Sequence, residues 1–163
     1  MKKYDVLIID DEEGIRDVVG GYADIAGFSY ETAESASHAM DLLLEKSAPY
    51  LIICDISMPG MNGLELLEKV RSKGFQSAVV MLTAYSESNK IIEALRLGAL
   101  DYICKPFPHE VLTQNLAIWV EIGKRLQALV GDKQASAQYG NVSQQLRMIE
   151  LYRLKSKALQ DLL

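Results

Sequence analysis

Short continuous apolar runs are the feature that most constrains the fold of this 163-residue chain. Three runs, at 6–9, 51–54 and 78–82, show no alternation of polar and apolar side chains. That pattern is typical of strands buried on both faces of a parallel sheet. Two further candidates are the alternating segment 28–32, which suits an edge strand, and 100–104, which Asp101 interrupts. We therefore expect five strands.

The segments between these runs have helical periodicity. One apolar stripe in the first of them comprises Ile15, Val18, Val19, Tyr22 and Ile25. Glycines at 27, 74 and 98 each follow such a stripe and precede a strand, where a left-handed helix terminator is expected. Strands and helices alternate, so the sequence predicts an α/β fold, a doubly wound parallel sheet with right-handed crossovers.

The C-terminal part of the chain has a different character. Residues 1–130 hold 12 basic and 19 acidic side chains (net −7), whereas 131–163 hold 5 and 3 (net +2). Helical spacing runs from Pro108 to Gly131 without a breaker, although Gly123 weakens it. We expect a globular domain over 1–122, an extension of the final helix and a linker over 123–141, and an amphipathic helix over 142–163.

Composition excludes several classes of protein. Apolar residues make up 49% and charged residues 24%, which is ordinary globular usage. No apolar run approaches the ~20 residues of a membrane span, and we do not expect the N-terminus to be a signal peptide. The net charge of −5 argues against direct nucleic-acid binding. Two cysteines cannot form a disulfide framework, so a cytoplasmic setting is expected.

Three carboxylates stand at predicted strand ends: Asp10 and Asp11 after the first strand, and Asp55 after the third. The carboxyl ends of parallel strands form the binding crevice of such sheets. Like charges there would repel one another, and a divalent cation such as Mg²⁺, which prefers oxygen ligands, resolves the conflict. Asp10 and Asp11 alone could equally cap the following helix. The addition of Asp55 favours the metal site.

A hydroxyl and a cation follow the last two strands, Thr83 after the fourth and Lys105 after the fifth. Around a carboxylate and a metal, they would complete a site for a phosphoryl group. With these residues in place, the chain resembles the response-regulator receiver domain of two-component signalling over about residues 4–122. The matching segments are IDDE at 9–12, CDISMPGMNG at 54–63, LTA at 82–84, GALDY at 98–102 and KPF at 105–107.

The resemblance implies a sheet of flavodoxin-like order 2-1-3-4-5 and a role for each matching residue. Asp55 would accept a phosphoryl group from a sensor histidine kinase or phosphotransfer protein, and Lys105, before a cis Pro106, would pair with that group. Thr83 and Tyr102 would be the switch residues, Thr83 turning to the phosphoryl group and Tyr102 rotating inward. The implied Mg²⁺ ligands are Asp10 (through water), Asp11, Asp55 and the backbone carbonyl of Ser57.

Two other functions are compatible with parts of the sequence. A phosphohydrolase of the haloacid dehalogenase type needs a second Asp two residues after the first, where this chain has Ser57. We therefore expect no enzyme activity beyond self-phosphotransfer and autodephosphorylation. The other rival is a receiver whose tail mediates assembly regardless of phosphorylation.

The output of the predicted switch is less constrained by the sequence. Residues 131–163 have no room for a DNA-reading module. We favour homodimerisation through 108–130 and the tail. A stand-alone regulator and a fragment lacking a larger effector domain are the alternatives.

The histidines and cysteines are expected to lie outside this chemistry. His38 and His109 fall away from the acidic segments, so we interpret both as surface residues. Cys54 and Cys104 neighbour site residues, but successive side chains of a strand point to opposite faces. We expect both to be free packing residues rather than a disulfide.

Overall fold

A computed structural model describes residues 3–131. The predicted C-terminal helix at 142–163 lies outside the described residues, as does all of the predicted 123–141 segment beyond Gly131. The elements in chain order are β1 Val6–Ile9, α1 Glu13–Ile25, β2 Tyr30–Ala33, α2 Ala36–Glu45, β3 Leu51–Asp55, α3 Gly63–Ser72, β4 Ala78–Ala84, a short 3₁₀ turn Tyr85–Glu87, α4 Ser88–Arg96, β5 Asp101–Lys105 and α5 His109–Gly131.

The five strands form one sheet in the order β2-β1-β3-β4-β5, and every neighbouring pair is parallel. The predicted fold class and strand order are therefore confirmed. The segment predicted as an edge strand is indeed at an edge, although it begins at Tyr30 rather than Phe28. Because β1 and β3 are adjacent at the centre, their carboxyl ends emerge side by side.

The core consists of two layers, one on each face of the sheet. Alternate side chains of β1 supply both: Leu7 and Ile9 pack with α2, α3 and α4, whereas Val6 and Ile8 pack with α1 and α5. Side chains on both faces of the central strands are buried, which is why their sequences read as continuous apolar runs.

Helix α1 buries a narrower face than its apolar stripe predicts. Val19 and Ala23 are fully buried, but Val18 is 48% and Ile25 80% exposed. Residues 19 and 23 are one turn apart on the same face of α1, and both belong to the core layer that holds Val6 and Ile8 of β1. Val18 and Ile25 fall outside that contact, so only part of the predicted apolar stripe is buried.

Helix ends follow the sequence signals. Gly27, Gly74 and Gly98 all have positive φ values, as predicted for left-handed terminators. At the start of α3, Asn62 accepts a hydrogen bond from the Glu65 N–H, and the Glu65 carboxylate accepts one from the Asn62 N–H. This capping box fixes the loop that follows Asp55.

Helix α5 is long and carries one buried face. It runs for 23 residues without a break at Gly123. The side chains that this face buries are Leu112, Leu116, Trp119, Val120, Ile122 and Leu126. Within residues 3–131, no helix is both long enough and apolar enough to cross a membrane.

Candidate functional site

The carboxyl edge of the sheet gathers side chains from four strands. Asp10 directly follows β1, and Asp55 is the last residue of β3. Thr83 lies near the end of β4, and Lys105 ends β5. The register pairs Ile9 with Cys54 and Ala84 with Lys105, which aligns these ends at one level. The site therefore lies at the crevice expected for this sheet.

Three carboxylates converge there. Oxygens of Asp10, Asp11 and Asp55 all lie within 4.8 Å of one another. Asp10 is fully buried and Asp55 is 5% exposed, whereas Asp11 faces solvent. Burial and the neighbouring Asp10 charge raise the pKa of Asp55 to about 6, although Lys105 and the Ser57 N–H act in the opposite direction. The cluster thus stores unfavourable charge that a cation would relieve.

Lys105 is the cation already present. Its Nζ lies 2.7 Å from Asp10 Oδ2 and 3.4 Å from Asp55 Oδ2. Burial alone would lower the pKa of Lys105, but the two carboxylates outweigh it and raise that pKa above its usual value. The peptide bond between Lys105 and Pro106 is cis, in agreement with the expectation from the resemblance.

Helix capping accounts for only part of the acidic cluster. Asp10 Oδ1 accepts a hydrogen bond from the Glu12 N–H at 2.9 Å, so this carboxylate does help to start α1. Glu12, the N-cap residue, makes no side-chain capping bond. Neither Asp11 nor Asp55 is explained by capping, because their proximity arises from two different strands.

The donor set fits a hard divalent cation. Carboxylate oxygens from three residues are clustered, and the exposed Asp11 leaves one side open to solvent. Mg²⁺ binds through one or two carboxylates and retains several waters, which matches a partly open site of this kind. The acidic cluster is therefore compatible with Mg²⁺.

The two predicted switch residues lie on β4 and β5. Thr83 is fully buried, and its hydroxyl donates to Glu87 Oε2 at 3.0 Å rather than to the acidic cluster. Tyr102 is 42% exposed, so its ring is turned outward. In this structure the Thr83 hydroxyl therefore points to the 3₁₀ turn after β4.

The contacts made by two residues near the site were not predicted. Glu87 bonds to side chains of both Ser57 and Thr83, and nothing in its sequence context signals that contact. Gly63 begins α3 against the Asp55 carbonyl, where a Cβ atom would lie 2.2 Å from that oxygen. Its place in the 54–63 segment signalled importance, but the close approach behind it is visible only in the structure.

The histidines and cysteines lie outside the acidic cluster, as predicted. His38 and His109 are exposed. Cys54 and Cys104 are both free, on strands separated by β4.

The predicted site residue Ser57 contacts Asp55 through its backbone, since its N–H donates to Asp55 Oδ1 at 3.3 Å. Its hydroxyl bonds to Glu87 instead of the acidic cluster.

Comparisons with known proteins agree with this geometry. The family described as "Response regulator receiver domain" matches residues 6–117. The regulatory protein AtoC of Escherichia coli K12 is 36% identical over 102 residues, which cover 63% of this chain and 22% of AtoC. The response regulator protein FleR of Pseudomonas aeruginosa is 33% identical over 112 residues, which cover 69% of this chain and 24% of FleR. The chain thus matches less than a quarter of either relative.

Solved structures give the same result. The receiver domain of NtrX from Brucella abortus superposes with a TM-score of 0.67 at 33% identity, covering 72% of this chain and 98% of that domain. The chemotaxis response regulator CheY4 of Vibrio cholerae gives a TM-score of 0.63 at 32% identity, covering 71% of this chain and 98% of CheY4.

Proposed function

The chain belongs to the response regulator receiver domain family, and from this premise we propose that it is a phosphorylation-dependent switch whose phosphoacceptor is Asp55. A histidine kinase or phosphotransfer protein would be the donor. In the transfer, the phosphorus–nitrogen bond of the donor breaks and a bond forms between phosphorus and an Asp55 carboxylate oxygen. The observation that carries this proposal is the convergence of Asp10, Asp11, Asp55 and Lys105 at one strand edge.

Asp55 has the properties of a nucleophile. Its carboxylate lies at the end of a central strand, and Lys105 Nζ at 3.4 Å favours its ionised form. With a pKa of about 6, most Asp55 side chains are charged at pH 7. A carboxylate whose pKa lies near the working pH is mostly ionised and is also more basic than an ordinary carboxylate.

Lys105 would change partners in the reaction. It now neutralises Asp10 and Asp55, and the negative oxygens of a phosphoryl group on Asp55 would supply new partners within its reach. Its role would be to hold that group in place and to spread its charge.

Asp10, Asp11, Asp55 and the Ser57 backbone carbonyl would hold Mg²⁺. When bound, the ion would neutralise the carboxylates and the charge that develops on the transferred group. Asp10 would act through water, as the family resemblance implies. Support for this ligand set comes from the clustered oxygens and from the raised pKa of Asp55.

Thr83 and Tyr102 would carry the signal away from Asp55. The Thr83 hydroxyl would turn from Glu87 to the phosphoryl group, and the exposed Tyr102 ring would then move inward. Such a local charge event can bias a two-state element and so change a distant surface.

The output would be a contact with protein rather than an enzymatic reaction. Homodimerisation through 108–130 and the tail remains our favoured prediction, and a separate effector domain remains the alternative, because the match spans so little of AtoC and FleR. We expect no direct contact with nucleic acid or membrane and a cytoplasmic location.

Phosphorylation with a small-molecule donor tests the proposal. The full chain is incubated with Mg²⁺ and phosphoramidate and then examined by intact mass spectrometry. We expect the mass of one phosphoryl group, lost on mild hydrolysis, in the wild type and in Asp41→Asn, whose side chain is exposed on α2. Asp55→Asn should show none. Equal incorporation in Asp55→Asn would reject Asp55 as the acceptor.

A further inference from the structure

Glu87 joins the two loops that flank the phosphorylation site. One of its carboxylate oxygens accepts a hydrogen bond from the Ser57 hydroxyl, in the loop after β3, and lies 2.7 Å from Lys90 Nζ. The other accepts from the Thr83 hydroxyl at 3.0 Å and from the Ala84 N–H at 3.2 Å. The Glu87 side chain is only 13% exposed, whereas its partners Ser57, Ala84 and Lys90 face solvent.

The Thr83 hydroxyl has a single proton to give. Its possible acceptors here are Glu87 Oε2 at 3.0 Å and the Ala84 carbonyl at 3.2 Å. A carboxylate is the stronger acceptor, since bonds to ionised groups are about twice as strong as neutral ones. While Thr83 donates to Glu87, it cannot donate to a group on Asp55.

We propose that Glu87 is a resting-state latch: a positioning residue that holds the hydroxyls of Thr83 and Ser57 and competes with the phosphoryl group for Thr83. This inference rests on the proposed phosphorylation of Asp55 and extends it. Switching requires the Thr83 hydroxyl to exchange one anionic acceptor for another. The strength of the bond between Thr83 and Glu87 therefore sets how strongly Thr83 favours the resting conformation over the phosphorylated one.

Charge adds to this competition. Ser57 bridges the two carboxylates, because its N–H donates to Asp55 Oδ1 at 3.3 Å while its hydroxyl donates to Glu87. A phosphoryl group on Asp55 brings close to two negative charges toward the Glu87 carboxylate. Repulsion between them favours release of the latch after phosphorylation and opposes phosphorylation before release.

The latch also connects the site to α4. Glu87 ends the 3₁₀ turn, and α4 begins at the next residue, Ser88. Lys90, in the first turn of α4, pairs with Glu87 and lies 3.4 Å from the Ser57 hydroxyl. When Glu87 leaves Thr83, the first turn of α4 loses this tie to β4 and can shift.

Glu87→Gln tests the latch, with Glu93→Gln as the matched control. Glutamine keeps the size and an acceptor oxygen but removes the charge, and Glu93 is an exposed glutamate on α4. On the full chain, the affinity for beryllofluoride with Mg²⁺ is measured by ¹⁹F NMR. We expect Glu87→Gln to bind about three- to tenfold more tightly than wild type, because a neutral acceptor holds Thr83 less strongly. Glu93→Gln should match wild type.

A second measurement reports on the latch without any phosphoryl analogue. The Ala84 N–H donates to Glu87, so its hydrogen exchange should be faster in Glu87→Gln than in wild type or Glu93→Gln. A purely structural role for Glu87 would lower both stability and beryllofluoride affinity. The latch predicts opposite signs, with weaker protection of Ala84 and tighter binding.

The outcomes separate the latch from the proposed function. A wild-type chain that binds no beryllofluoride and takes no phosphoryl group would overturn the function of Asp55. A wild type that does both, with Glu87→Gln binding no more tightly than Glu93→Gln, would overturn the latch alone.

Discussion

Gly123 lies directly against the backbone carbonyl of Tyr50, and a Cβ atom at this position would stand 1.9 Å from that oxygen. The contact joins α5 to the loop that precedes β3. Gln127 strengthens it, since its Nε2 donates to the Pro49 carbonyl at 2.7 Å, and Lys124 Nζ lies 5.4 Å from the centre of the Tyr50 ring. A glycine that weakens the helix locally is therefore what lets the helix reach this loop.

Gly123→Ala should destabilise the protein although alanine is the better helix former. The overlap with Tyr50 forces the backbone apart, which costs about 1–3 kcal/mol of unfolding free energy. Gly21→Ala is the control, because Gly21 lies within α1 with no atom near its missing Cβ. That change should stabilise by about 0.5–1 kcal/mol. Urea unfolding followed by Trp119 fluorescence measures both, and two shifts of the same sign would refute the steric explanation.

Asp55→Asn should stabilise the metal-free protein at pH 7. The pKa of Asp55 is raised in the folded state to about 6, so the folded state binds the proton more tightly than the unfolded state does. The free energy of unfolding therefore falls as pH rises from about 4 to 6, and above that range the charged carboxylate destabilises the folded state. Removing the charge should return about 1–2 kcal/mol at pH 7 and almost nothing at pH 4. Thermal unfolding in EDTA tests this, with Asp41→Asn as control. A benefit that is equal at both pH values would contradict the assignment.

Mg²⁺ should raise the melting temperature of the wild type. A ligand that binds only the folded state stabilises it by about 2.7 kcal/mol at one hundred times its Kd. Asp11→Asn should weaken this response, because it removes one of the three clustered carboxylates. Asp17→Asn changes an exposed acid on α1 and should respond as wild type does. Differential scanning calorimetry at increasing Mg²⁺ concentrations measures the melting temperature of each variant. An unchanged response in Asp11→Asn would exclude that residue as a ligand.

Lys105→Gln should destabilise the metal-free protein by about 2–4 kcal/mol, since it leaves buried Asp10 without its cation. The loss should be larger at pH 7 than at pH 5, where Asp55 is mostly protonated and the cluster holds less negative charge. Chemical denaturation at both pH values is the measurement. Lys73→Gln, at an exposed position after α3, controls for the loss of one positive charge. Equal losses in the two variants would show that Lys105 has no special electrostatic role.

The fold was largely predictable because parallel strands buried on both faces leave a direct mark on the sequence. Residues 51–54 read as apolar throughout since each side chain packs into one of two layers. Helix faces were harder to predict. Periodicity places Val18 and Ile25 on the apolar stripe of α1, but it cannot show that these two are exposed while Ala23 is fully buried.

The candidate site was predictable where it depends on strand ends. Asp10, Asp55, Thr83 and Lys105 follow from topology, because parallel strands end at one edge. The contacts of Glu87 do not, since they arise from the conformation of the turn after β4. The same limit applies to Gly63, whose need for a hydrogen side chain comes from the path of the backbone after Asp55.

The length of α5 constrains how a change at Asp55 could affect the opposite end of the helix. The helix starts four residues after Lys105 and runs for 23 residues, about 35 Å, to the opposite end of the sheet. At physiological ionic strength charge is screened over about 8 Å, so the end of α5 at Gly131 lies too far along the helix to respond electrostatically to a change of charge on Asp55. An effect of Asp55 on that end of the helix would therefore have to pass through displacement of packed side chains, along a helix that the contact between Gly123 and Tyr50 holds against the loop before β3.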